Sequence, residues 1–148
     1  MTAPAARGIL RRKTSVTTLD EISRSLELVG ERGDPTAAVY ARLFAENPDM
    51  EALFVRDKNG SIRGNMLAEA INALLDFGCP DHYGANLMRA EIVNHEHLGV
   101  PPAVFREFFV TMRSVFKEVL GADWTPAIDA AWRDVLARID AALGRASP

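Results

Sequence analysis

Pro101-Pro102-Ala103-Val104-Phe105-Arg106-Glu107-Phe108-Phe109-Val110-Thr111-Met112-Arg113-Ser114-Val115-Phe116-Lys117-Glu118-Val119-Leu120-Gly121 decides the fold class. Phe105, Phe108, Phe109, Met112, Val115, Phe116 and Val119 recur at three- and four-residue steps, the spacing of one face of an α-helix. A strand would need alternation, which is absent. Pro101-Pro102 opens the helix, and Gly121 closes it.

The same period continues outward in both directions. Thr125-Pro126 caps a last helix with a stripe of Ile128, Trp132, Val135, Ile139 and Leu143. Upstream, Asp81 is placed to cap a helix that carries Leu87, Met88, Ile92 and Val93, reaches His95 or slightly beyond, and ends at Gly99. Before it, Ser61 is expected to cap a long helix bearing Ile62, Met66, Leu67, Ala70, Ile71, Leu74 and Leu75, stopped by Gly78-Cys79-Pro80. Asp34-Pro35 starts a shorter helix with Val39, Tyr40, Leu43 and Phe44 on its apolar face, and Asn47-Pro48 breaks it. The first helix has Thr18 and Glu21 as a capping box and Leu19, Ile22, Leu26 and Val29 as its stripe, with Gly30 and Gly33 at its end. The expected architecture is an all-α domain of about six or seven helices over residues 16–144, preceded by a flexible arm (1–15) and followed by a frayed tail (145–148).

Composition narrows the function. The 148 residues correspond to about one domain and leave no room for a fused reductase. The 17 basic and 20 acidic residues give a net charge of −3, against the basic excess of a nucleic-acid binder. One cysteine excludes an internal disulfide and a zinc site built on several thiolates. There is neither a membrane-spanning apolar run nor a secretory leader, so the expected location is the cytoplasm. Apolar surface on the last two helices leaves a homodimer open.

Three histidines remain as imidazole ligands: His82, His95 and His97. His95 follows Met88 by seven and Ile92 by three, so it shares their apolar face. There it is either a metal ligand or a hydrogen-bonded boundary residue. His97 lies roughly 200° further around the helix, so the pair does not converge on one metal. Asp57-Lys58-Asn59-Gly60 opens like a calcium loop, but Ile62 stands at the sixth position and Ala68 at the twelfth, which excludes one. Tyr40 places a phenol beside an apolar face, where it needs a partner if buried. Arg63 is either a solvated helix-start residue or a cation at a pocket mouth.

Taken together, Val39-Tyr40-Ala41-Arg42-Leu43-Phe44, Asn47-Pro48, Leu53-Phe54, Arg63-Gly64-Asn65-Met66-Leu67, His95-Glu96-His97-Leu98-Gly99-Val100, Trp124-Thr125-Pro126 and Ala131-Trp132 resemble, in this order, a bacterial single-domain globin related to the haem domain of flavohaemoglobins. The resemblance covers about residues 18–143. It implies a globin fold around a haem b pocket, and reversible binding of dioxygen or another diatomic gas. His95 would be the proximal iron ligand, and Tyr40 the distal phenol that donates a hydrogen bond to the gas. Pro48 would shape the corner. Phe44, Phe54, Leu67, Met88, Ile92, Val100 and Phe105 would contact haem, and Arg63 would reach a propionate or act as a second distal donor.

Three positions depart from that family's pattern. Arg63 replaces the usual distal amide or imidazole. Phe105 stands where a tyrosine often supports the proximal histidine, and Glu91 stands where an apolar haem contact is common. Phe105 removes a polarising partner and so weakens the case for peroxidase or nitric-oxide dioxygenase chemistry, whereas Glu91 favours a pocket without haem. Two alternatives stay open beside the gas-binding reading: a haem-free sensor or interaction module, and a nitric-oxide dioxygenase using an external reductase.

Overall fold

The computed structural model describes residues 18–79 and 85–144. The proposed arm, the proposed tail and the Asp81 cap lie outside the described residues. Within them the chain forms α1 (residues 18–31), α2 (Thr36–Glu46), a short 3₁₀ segment (Pro48–Phe54), α3 (Ser61–Gly78), α4 (Ala85–His97), α5 (Pro102–Leu120), a 3₁₀ turn (Gly121–Asp123) and α6 (Pro126–Gly144). No strand occurs among the described residues, and none of their helices is long and apolar enough to cross a membrane.

The expected stripes become the core. Trp132, Ile128, Val135 and Leu143 of α6 are fully buried against Met112 and Phe116 of α5, Leu74 and Phe77 of α3, and Ile22 of α1. Phe116 meets Trp132 edge to face at 5.8 Å. A buried polar chain crosses this core. The Trp132 indole N–H donates to Ser25 Oγ at 2.9 Å, and that hydroxyl donates to the Ile22 carbonyl at 2.7 Å. Each hydrogen-bonding atom in the chain is thereby satisfied, and α1 is registered on α6.

Arginines close the helix ends. Arg106 and Arg89 donate to the carbonyls of Leu143 and Ala142 at the end of α6, and Arg138 donates to Phe77 at the end of α3. These carbonyls belong to last turns, which have no intrahelical donor. Asp129 in the first turn of α6 accepts from Trp124 Nε1 and pairs with Arg113 and Arg133. The Trp124 bond, aided by Arg113, holds its carboxyl below the usual range.

Several helix boundaries differ from expectation. Thr18, expected as a cap, is already helical, and α2 begins at Thr36 with Pro35 at its N-cap, the Asp34 carboxylate accepting the Thr36 N–H. Gly30 lies inside α1, which continues to residue 31, and Gly33 takes the left-handed conformation (φ +124°) that ends it. Ser61 is the first residue of α3 and does not cap it. Its own N–H is bonded to Asn59 Oδ1, while the Asp57 carboxylate takes the N–H groups of Ile62 and Arg63 at 3.0 and 2.9 Å. Gly60 (φ +77°) turns the loop back so that Asp57 can lie at the helix start.

Helix α2 packs on α5 and α3, and α4 packs on α5 and α6. The space between α2, α3, α4 and α5 is left open, and the site lies there.

Candidate functional site

A cavity of about 620 Å³ opens between these helices, within the range of roughly 300–1,000 Å³ common for cofactor sites. Helix α5 is its spine. The aromatic rings run from Tyr40 of α2 to Phe108 (5.4 Å), on to Phe109 (6.2 Å) and Phe105 (6.2 Å), and end at His95 of α4 (5.0 Å). One stripe of helical period, 105-108-109, thus joins two polar groups that are 55 residues apart in sequence.

At one end stands Tyr40. It is 1% exposed, and Phe54 (5.4 Å) and Phe44 (5.8 Å) complete its aromatic surround. Its hydroxyl is buried without a hydrogen-bond partner among the described residues. Burial pushes the phenol's pKa well up; Arg63 works against that shift and Asp57 with it. The group is therefore an O–H, and hence a donor, across the physiological range. A buried hydroxyl with no acceptor costs about 1–3 kcal/mol, and a bound ligand would remove that cost.

At the other end stands His95. Its Nδ1 lies 2.7 Å from the Glu91 carbonyl oxygen. A carbonyl can only accept, so Nδ1 carries a proton, and in the neutral imidazole Nε2 is the nitrogen that keeps its lone pair. The Glu91 carboxylate lies 3.8 Å from the same nitrogen. The end of α4 fixes the ring's position. Val100 N–H bonds to the His95 carbonyl (2.8 Å) and Gly99 N–H to the Glu96 carbonyl (3.0 Å), with Gly99 at φ +99°. This is the Schellman arrangement, and it also delivers Val100 to the cavity wall.

Of the residues singled out in the sequence, Tyr40, Phe54, Met88, His95, Val100 and Phe105 line this one cavity. Leu67 is buried in the core, and Ile92 packs against it; neither lines the cavity. Phe44 and Arg63 line a second hollow of about 510 Å³ with Pro48, Glu51, Ala52, Phe54 and Val55, so Phe54 borders both spaces. Arg63 is tied to Asp57 by Nε (3.0 Å) and Nη2 (2.9 Å). His97 is exposed and outside the cavity, and His82 lies outside the described residues.

Further lining residues have no site role assigned from the sequence, or, like Met66 and Ala70, are read there only as part of a helix stripe, and Glu91 only as a departure from the family's pattern. Met66, Glu69, Ala70 and Ala73 share a face of α3, and their three- and four-residue spacing was the available signal. Asn72 and Asp76 of α3 and Glu91 of α4 also border the cavity. Its wall therefore holds three carboxylates and neither lysine nor arginine among the described residues.

The model of the globin family matches residues 37–143. The chain belongs to the globin family. No curated protein and no solved structure shows significant similarity to it. Globins typically bind haem, and the donor set of this globin fits that group: one imidazole with a defined free nitrogen, an apolar cavity, and a buried hydroxyl lacking an acceptor. No group of three or more potential metal ligands occurs among the described residues, and a haem site needs only one.

Proposed function

We propose that this globin holds haem b between α3, α4 and α5 and binds dioxygen or another diatomic gas reversibly, in the manner of the bacterial single-domain globins related to flavohaemoglobin haem domains. One observation carries the proposal: an imidazole with its Nδ1 already bonded and a phenol without an acceptor border the same aromatic cavity. Haem supplies an iron with a coordination position open to a small gas. His95 would hold the iron through Nε2, with the Glu91 carbonyl orienting the ring. Tyr40 would donate to the gas and slow its release. Phe54, Met88, Val100 and Phe105 would keep water away from both faces, and Phe44 would brace Tyr40 from behind.

A second reading, a haem-free globin-fold module, draws on the carboxylates of Glu69, Asp76 and Glu91, which do not favour an anionic ligand. Haemin titration separates the two. The protein should take up one equivalent and develop the intense absorption band of bound haem. His95→Ala should lose the five-coordinate ferrous spectrum and regain it with added imidazole. A wild-type protein with no haem band would select the haem-free reading.

A further inference from the structure

Arg63 and Asp57 form a unit that the site chemistry above does not use. Three groups of Arg63 end on Asp57: its backbone N–H on Oδ2 (2.9 Å), its Nε on the same oxygen (3.0 Å), and its Nη2 on the Asp57 main-chain oxygen (2.9 Å). The Asp57 side chain is 1% exposed, and its other carboxylate oxygen takes the Ile62 N–H. Burial works against its charge, but the two backbone donors and the guanidinium outweigh that, and its carboxyl sits below the usual range. A buried carboxylate bonded in this way is a strong, directional anchor. It holds the guanidinium in the hollow beside Phe44 and Phe54, while the ring of Phe54 also borders the main cavity. Arg63 and Asp57 both act on the Tyr40 phenol, with opposite sign. A cation and its counter-charge therefore lie near enough to act on the buried hydroxyl through space, and neither lines its cavity.

We infer that Asp57 is a positioning residue: it parks Arg63 outside the cavity, so that Tyr40 and not a cation meets the gas. This rests on the reading that the cavity holds haem with the gas on the Tyr40 side. Without the Asp57 carboxylate, the guanidinium would lose its charged anchor and keep only the Nη2 bond to the main-chain oxygen of residue 57. Phe54 borders both spaces, so a guanidinium that turned past it would enter a space of low dielectric, where a positive charge acts strongly on a polar ligand.

The test uses haem-loaded wild type, Asp57→Asn, Arg63→Gln and the double variant. Its readouts are the carbon monoxide stretching band and the oxygen dissociation rate. Asp57→Asn should move the band to lower wavenumber and slow oxygen dissociation about tenfold, or about 1.4 kcal/mol. Arg63→Gln should stay within about twofold of wild type, because the guanidinium it removes is already outside. The double variant should return to wild type, which a loss of helix capping alone would not produce. The inference is overturned by an unshifted band in haem-loaded Asp57→Asn, by a double variant that keeps the shift, or by Arg63→Gln alone moving the band. If Asp57→Asn does not fold, two measurements decide: Arg63→Gln must leave the band in place, and the wild-type Arg63 Nε–H must exchange slowly with solvent. Failure of either overturns the inference. A wild-type protein without haem overturns the functional reading and this inference with it, whereas the variants test Asp57 only once haem is bound.

Discussion

The Tyr40 hydroxyl is built for a partner that the described residues do not supply. Its ring is fixed by Phe44, Phe54 and Phe108, so the O–H cannot turn to solvent. This gives Tyr40→Phe two effects of opposite benefit. In the haem-free protein the variant removes an unsatisfied buried polar atom and should be as stable as wild type, or up to about 1 kcal/mol more stable, by urea denaturation. In the haem-loaded protein it removes the donor and should raise the oxygen dissociation rate at least about tenfold, since a lost hydrogen bond of about 1.4 kcal/mol is a factor of ten. A destabilised apoprotein would mean that the hydroxyl has an acceptor after all. An unchanged rate would mean that the phenol does not touch the gas. The sequence already placed Tyr40 on an apolar face. It could not show whether the hydroxyl was paired, because the acceptors that might reach it come from other helices.

Helices were legible wherever one face is apolar and a proline or glycine marks the end, as in α5 and α6. Caps were less so. Ser61 looks like the start of α3 because capping residues normally lie within three positions of the groups they bond. Asp57 acts from five and six residues back, and only the left-handed Gly60 makes that reach available. Periodicity also leaves the two sides of a helix unresolved when both are apolar. Leu67 lies in the core, whereas Met66, its neighbour, lies on the cavity. At the end of α4 a single glycine matters more than the stripe. Gly99 at φ +99° closes the turn that holds the His95 carbonyl and sets Val100 in place. A side chain at Gly99 would meet Leu53 at an ordinary 3.6 Å, so Gly99→Ala isolates the backbone strain. The expected loss is about 1 kcal/mol or more in thermal or urea denaturation. Haem affinity should fall with it, because the strain is relieved by moving the residue that carries the ligand. Full stability together with full affinity would show that the turn is replaceable.

At the scale of the molecule the chain divides its aromatic residues between two tasks. Trp132, Phe116 and Phe77 fill the core beside α1 and α6, while Phe54, Phe105 and Phe108 surround an open space between α2 and α5. The polar residues of the wall are unevenly distributed. Glu69 and Asp76 lie on α3 and Glu91 on α4, whereas the corner on the α2 side carries the Arg63 guanidinium. Haem would enter with two negative propionates, and the protein it would meet carries a net charge of −3. Repulsion from the protein as a whole and from this wall should therefore oppose entry, and salt should weaken it. The Debye length falls from about 30 Å at 0.01 M to about 8 Å at 0.15 M, so most of the effect belongs in that interval. Stopped-flow uptake of monomeric dicyanohaemin should accelerate several-fold between these ionic strengths. Glu69→Gln, on the exposed side of α3, should raise the low-salt rate and flatten the salt dependence, leaving the high-salt rate nearly unchanged. Uptake that slows with salt would instead place a cation at the point of entry, making Arg63 rather than the acidic wall the first group that haem encounters.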